Sequence, residues 1–494
     1  MSRPFAASLM CMALVACSSP PLQPVDAGLK AEVDAGKLPS VAYALVRDGR
    51  IVHEGAVGWA DKEHGLMAAP DTPYPLASVS KPLVATAVMM LSERGRIDLQ
   101  APASRYVEGL PPSFSGSVRQ LLNHTSGLPT YARIAWRGDG PGPQTLQPNL
   151  RAYAFAAQPP ATVFEYSNLG YGMLGRIVEA QAGASLGEFM RTQLFEPLGM
   201  RRTMLVDGFA VPAGNAAKYD AEGHRLSDTW NDTPGAGNVY ASAHDLALFA
   251  SFHLADDADS PSRVLSARGR RLMRSHVEPG ARYCYYDGAH YGLGWYVRRN
   301  DAGEPVVWHE GSMPGVSSIV ILLPQRGIAA VVVINATDAN AQAQQVANSL
   351  IHAIEPSYPS TRFVATDGFT RYGDQPEWRG RWAGEIDVDG QAIPFTLRFE
   401  GEGRVHAEFA DRGPGALLPA HTSLPMLIHG ELAVGTLQGT LPAADVAQVP
   451  GGYVLLRLVR HGDELSGAVV AYASPEGLRH LLPFAARLRR SSLQ

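Results

Sequence analysis

Ser78-Val79-Ser80-Lys81 heads an Ala- and Met-rich apolar stretch, Leu83 to Arg94, which Gly95 closes. The stretch reads as a helix, with the glycine where helices often end. Pro82 fits only if Ser78 to Pro82 forms the first helical turn. Ser78 and Lys81 are then three apart and share one face. That turn also sets Ser78 near the positive end of the helix, where an anion is stabilised. A desolvated lysine can lose its proton and serve as the base of a neighbouring serine. Serine is common, so the pair needs context before it means chemistry.

Upstream, Val41–Arg47 and Ile51–Gly58 flank Asp48-Gly49 and read as a β-hairpin. Downstream, helix-period apolar residues recur over Val118–Asn123, Gly170–Gln181 and Leu186–Leu194. A further helix spans Ala241–Phe252, with Ser242 as its N-cap. Strand patterns return at Tyr291–Val297, Pro305–His309, Val316–Leu323 and Ile328–Asn335, and Ala339–Ile354 closes as a helix. The order predicts an α/β (α+β) domain over 28–354. An antiparallel sheet is assembled from both ends of the segment, with a helical insert between them. Residues 355–370, with Pro356 and Pro359, read as a linker. Over 371–494, short strands separated by Gly, Asp and Pro predict a small β-barrel or sandwich, with Trp378 and Trp382 filling its core.

The 494 residues are 46% hydrophobic and 18% charged, with a net charge of -5. This composition is globular, and no basic block or Arg-rich stripe points to nucleic acid. Residues 1–16 carry Arg3 and a short apolar run, the pattern of an export signal. The run ends in Leu14-Val15-Ala16-Cys17, which resembles the bacterial lipoprotein signal. By that resemblance Cys17 is lipidated and residues 17–27 form a tether. The expected location is the bacterial cell envelope, with Ser18 directing the protein to the outer membrane. Cys284 alone would remain, so no intrachain disulfide is expected.

Two further stretches could supply chemistry. Tyr166-Ser167-Asn168 precedes a predicted helix. A tyrosine near a lysine can act as a general base, and an asparagine amide can both donate to and accept from a substrate amide. His309-Glu310-Gly311-Ser312 ends a predicted strand. Its glycine permits a substrate backbone to approach the strand edge, and its histidine could hold a carboxylate or stabilise negative charge. Gly183-Ala184-Ser185-Leu186-Gly187 matches a nucleophile elbow, but that motif needs a strand before it, and a helix is predicted there. Ser185 therefore reads as a helix cap. His309-Glu310 lacks the second histidine of a zinc-protease motif, and no cysteine–histidine cluster exists, so no metal or other cofactor is expected.

In the order Ser78-x-x-Lys81, Tyr166-x-Asn168, His309-x-Gly311, the chain resembles the serine hydrolases of the class C β-lactamase and penicillin-binding-protein family. Leu121-Leu122-Asn123-His124-Thr125-Ser126-Gly127-Leu128-Pro129, Tyr291-Gly292-Leu293-Gly294-Trp295 and Val331-Val332-Val333-Ile334-Asn335 fit the same family. The resemblance implies a β-lactamase/transpeptidase-like fold. Ser78 would be the acylated nucleophile, Lys81 its activating partner and Tyr166 the general base. Asn168, His309, Gly311 and Ser312 would contact substrate, with the backbone N–H groups of Ser78 and Ser312 forming the oxyanion hole. His124 reads as structural support. The family's β-lactamases carry lysine where this chain has His309. Histidine there resembles the esterase and D-amino-acid peptidase branches. The expected substrates are small esters, D-amino-acid peptides or peptidoglycan fragments. The alternatives are a β-lactamase or D,D-carboxypeptidase, and a non-catalytic envelope receptor for peptidoglycan or a β-lactam-like ligand.

Overall fold

The computed structural model describes residues 22–137, 146–209, 211, 213–255, 263–275, 282, 286, 288–360, 362–363, 369–373, 375–409, 421–443, 452–472 and 480–491. The export segment, Cys17 and Cys284 lie outside them.

Ser40–Arg47 and Arg50–Asp61 form the expected hairpin. Asp48 (φ 49°) and Gly49 (φ 74°) make the tight turn between them, in the left-handed conformation that such turns require. Ser40–Arg47 pairs on its other side with Ile328–Ile334, Val41 opposite Ile334 and Arg47 opposite Ile328. The chain's first strand is thus knitted to one almost 300 residues later. The antiparallel order is His290–Tyr291, Tyr296–Arg299, Pro305–Met313, Val316–Leu323, Ile328–Ile334, Ser40–Arg47, Arg50–Asp61, Leu66–Met67.

Alternation along the central strands sends their apolar side chains to two separate cores. Val41, Tyr43, Leu45, Val332 and Ile334 meet the closing helix Asn340–Ile354 and the first helix, Gln23–Asp34. That first helix already contains Gln23 to Ala27, the last part of the expected tether. Ala42, Ala44, Val331 and Val333 face the helical insert, including Ser80–Glu93, Asn168–Ala182 and Ala243–Leu254. Ser185 caps the helix Leu186–Met190, accepting from Glu188 N.

The C-terminal strands form a second antiparallel sheet, and Trp378 and Trp382 are fully buried in it. Its last strand, His480–Ser491, was not apparent in the sequence. It pairs with Gly380–Val388 and also with Ala132–Trp136 of the insert, Leu481 opposite Ala132 and His480 opposite Arg133. The segment expected to be a linker is pinned at several points. Glu355 pairs with Arg47 and Arg326, Tyr358 is buried, and Phe363 stacks on Trp308 at 4.2 Å.

Candidate active site

Ser78 lies in a single 3-10 turn, Ala77–Val79, that leads into the helix Ser80–Glu93. Pro82 is the third residue of that helix, where its missing N–H costs no intrahelical bond. Ala77 has φ 46°, a left-handed conformation that costs a non-glycine residue about 1–3 kcal/mol. Neighbouring bonds hold it there: Leu76 N donates to Val239 O, and Ser318 Oγ donates to Leu76 O. The two serines of the motif separate cleanly. Ser80 is buried and accepts from Val239 N, whereas the half-buried Ser78 faces Lys81.

Lys81 is fully buried, and burial holds its pKa well below the ordinary lysine value. Its Nζ lies 2.7 Å from Asn168 Oδ1, 2.9 Å from Ala236 O and 3.1 Å from Ser78 Oγ. The first two atoms can only accept. A neutral amine spends its two N–H groups on them and keeps its lone pair for the Ser78 hydroxyl. This arrangement can take the serine proton without a histidine.

Tyr166 and Asn168 reach the same point from the start of the helix Asn168–Ala182. Ser167, between them, caps that helix through Gly170 N. The Tyr166 ring centre is 4.6 Å from Lys81 Nζ. His124 fixes both neighbours of Tyr166: its carbonyl accepts from Glu165 N, and its Nδ1 accepts from Ser167 N. Its ring also lies 4.4 Å from the Tyr166 ring. Burial, with Lys81 and His309 nearby, keeps His124 neutral, so a support role suits it.

His309 and Gly311 adjoin this cluster but work differently from the expectation. His309 is 1% exposed, and both ring nitrogens are engaged. Nδ1 lies 2.7 Å from Glu310 O, which only accepts, so Nδ1 carries the proton. Nε2 takes the Tyr291 hydroxyl at 2.9 Å. Burial, with Lys81 nearby, lowers the His309 pKa to about 3. The ring is neutral and presents no free nitrogen to a carboxylate. Gly311 makes room for the protein's own chain. A Cβ there would lie 2.1 Å from Leu76 O and 3.1 Å from Ser78 N. Ser312 is exposed beyond it. Pairing with the preceding strand stops at Trp308, so among the described residues the strand edge beside Gly311 and Ser312 has no sheet partner.

The sequence reading missed Ala236, whose carbonyl holds Lys81, and Tyr291, which holds His309. Both had a signal in glycine-rich phrases. Pro234-Gly235-Ala236-Gly237 is a short helical turn behind Lys81. Gly294 (φ 90°) lets the Tyr291–Trp295 turn pack on Lys81 and Pro82, since a Cβ there would lie 3.3 Å from Pro82 Cα.

The sequence pattern of the family described as Beta-lactamase matches residues 25–353, the segment that carries all three motifs. The chain belongs to the Beta-lactamase family. Penicillin-binding protein 4 of Amycolatopsis lactamdurans is 31% identical over 315 residues, covering 60% of this chain and 81% of that protein. Protein flp of Staphylococcus aureus strain MRSA252 is 26% identical over 333 residues, and the match spans 62% of its length. Among solved structures, SurE with D-Leu superposes with a TM-score of 0.64 at 23% identity. It covers 94% of this chain and 99% of SurE, so the likeness in fold includes the C-terminal sheet. Membership in the Beta-lactamase family makes the protein a serine hydrolase in general terms.

Proposed function

We propose that the protein hydrolyses small carboxylic esters or D-amino-acid peptides through an acyl-enzyme on Ser78. The observation that carries this reading is the buried Lys81 Nζ, 2.7 Å from Asn168 Oδ1, 2.9 Å from Ala236 O and 3.1 Å from Ser78 Oγ. In its neutral form the amine gives its two N–H groups to the first two and keeps its lone pair for Ser78. Ser78 Oγ bonds to the substrate carbonyl carbon while its proton passes to Lys81. The carbonyl oxygen becomes an oxyanion, received by the backbone N–H groups of Ser78 and Ser312. The intermediate collapses as the leaving group departs with the proton, delivered by way of Lys81 and Tyr166. Water, deprotonated beside Tyr166, then attacks the acyl carbon and frees Ser78.

The neutral His309 supports the ranking of substrates. A lysine there would attract the carboxylate of a β-lactam or a D-alanyl-D-alanine terminus, whereas a neutral imidazole does not. The likeness to a penicillin-binding protein supports β-lactam acylation as the second reading. A fluorophosphonate probe is expected to add once, on Ser78. Ester hydrolysis that survives Ser78→Ala would refute the mechanism. Relative turnover of p-nitrophenyl esters, D-alanyl p-nitroanilide and nitrocefin orders the substrates, and nitrocefin turned over fastest would reverse the ranking. Lipidation of Cys17 and envelope residence are part of the same proposal. Cys17→Ala should release the protein from the membrane fraction.

A further inference from the structure

The C-terminal sheet reaches the loop that carries Tyr166. Arg457, in the strand Tyr453–His461, donates to Glu165 Oε2 and, at 3.3 Å, to Phe164 O. Glu165 is buried and Arg457 partly buried, with side chains 7% and 12% exposed. The other oxygen of Glu165 accepts from Thr130 Oγ1 at 2.8 Å, and that hydroxyl lies equally close to Tyr166 O. A second strap holds the start of the same loop. Gln158 bonds Ser466 O and Ser466 Oγ, and lies 3.1 Å from His461 Nε2. Glu165 is thus the neutralised link between a C-terminal arginine and the residue beside it, Tyr166.

We infer that Arg457 is a positioning residue for catalysis: through Glu165 it fixes Tyr166 over Lys81. The C-terminal sheet then completes the active site rather than merely accompanying it. This rests on the acyl-enzyme reading, in which Tyr166 moves protons. A proton relay depends on placement within a fraction of an ångström, and a 1 Å error can cost about a hundredfold in rate. Removing the guanidinium also leaves a buried carboxylate uncompensated next to Tyr166.

The test uses the full chain. Arg457→Met is expected to lower kcat on a p-nitrophenyl ester roughly 10–100-fold, with KM near the wild-type value and fluorophosphonate labelling of Ser78 slowed in parallel. Adding Glu165→Gln removes the stranded charge and should restore part of kcat. An Arg457→Met protein that melts lower yet turns over at the wild-type rate below its melting point overturns the inference. If that variant does not fold, Arg457→Lys decides instead, since it keeps the charge but not the fork. Reduced kcat with wild-type melting supports the role, and wild-type kcat overturns it. Hydrolysis surviving Ser78→Ala would overturn the acyl-enzyme reading itself. An inert Ser78→Ala beside a fully active Arg457→Met overturns only the positioning role.

Discussion

Two buried lysines in this molecule each sit against a hydroxyl, and only one of them is built for catalysis. Lys81 Nζ is 3.1 Å from Ser78 Oγ, and Lys218 Nζ is 2.6 Å from Thr229 Oγ1. Burial lowers the pKa of both. The surroundings then diverge. The hydrogen-bond partners of Lys81 are neutral, and among the described residues no carboxylate offsets the cost of burying its charge. Lys218 has the nearby Asp228 carboxylate, which partly offsets burial and leaves its pKa at about 8. Thr229 is itself buried, whereas Ser78 is half-open beside a strand edge that has no sheet partner among the described residues. A depressed lysine pKa is therefore not a catalytic site by itself. The distinguishing features are acceptors that use up the N–H groups and a hydroxyl that substrate can reach.

Substitution gives the sharpest contrast. Lys81→Met should lower kcat/KM for an ester by roughly 10²–10⁴-fold, the usual contribution of a positioned base. Lys218→Met should leave it near the wild-type value. Equal losses in the two variants would break the comparison.

The pH profile is the next largest effect. Ser78 can pass its proton only to unprotonated Lys81, so kcat/KM should rise with pH through the lowered Lys81 pKa. His309, with a pKa of about 3, does not titrate across the neutral range. The acid limb should therefore stay in place in His309→Asn and in Lys218→Met, even where the rate itself changes. A limb that vanishes in His309→Asn would assign it to the imidazole.

How much of this could be read from sequence follows from where each contact lies along the chain. Ser78 and Lys81 share a turn, and Tyr166 and Asn168 flank a cap, so short-range pattern located them. The sheet was legible because its strands are continuous apolar runs, and its closure between the two ends followed from their order. The role of Gly311 was not legible. A missing Cβ looks the same whether a substrate or the protein's own Leu76 fills the space. His309 was read as a group that could hold a carboxylate or stabilise negative charge because nothing in its own stretch reveals the Tyr291 hydroxyl on its other nitrogen. Arg457 meets Glu165 across 292 positions, and no periodicity carries that distance. The first helix, Gln23–Asp34, was hidden by the Pro-rich run before it, and packing of Leu29 against the sheet's outer core secures it.

The smallest expected effect concerns stability, and it separates the lysines once more. Folded Lys218 has a pKa of about 8, below the value of about 10.4 in an unfolded chain. Between those values the unfolded chain holds more protons, so stability rises with pH across that window. Below about pH 8 both states are protonated and the penalty is constant. One pKa unit is worth about 1.4 kcal/mol, which caps the penalty at about 3 kcal/mol. Lys218→Met removes it, so the variant should gain stability at pH 7 and lose its advantage by pH 10. The difference between wild type and variant in urea unfolding at pH 7, 8, 9 and 10 isolates this residue from the buried tyrosines that titrate higher. A constant difference across the series would mean that Lys218 holds its proton equally in the folded and unfolded chains, its pKa unshifted by burial; a difference already changing at its full slope at pH 7 would mean that Lys218 is neutral in the folded protein there, as Lys81 must be to work.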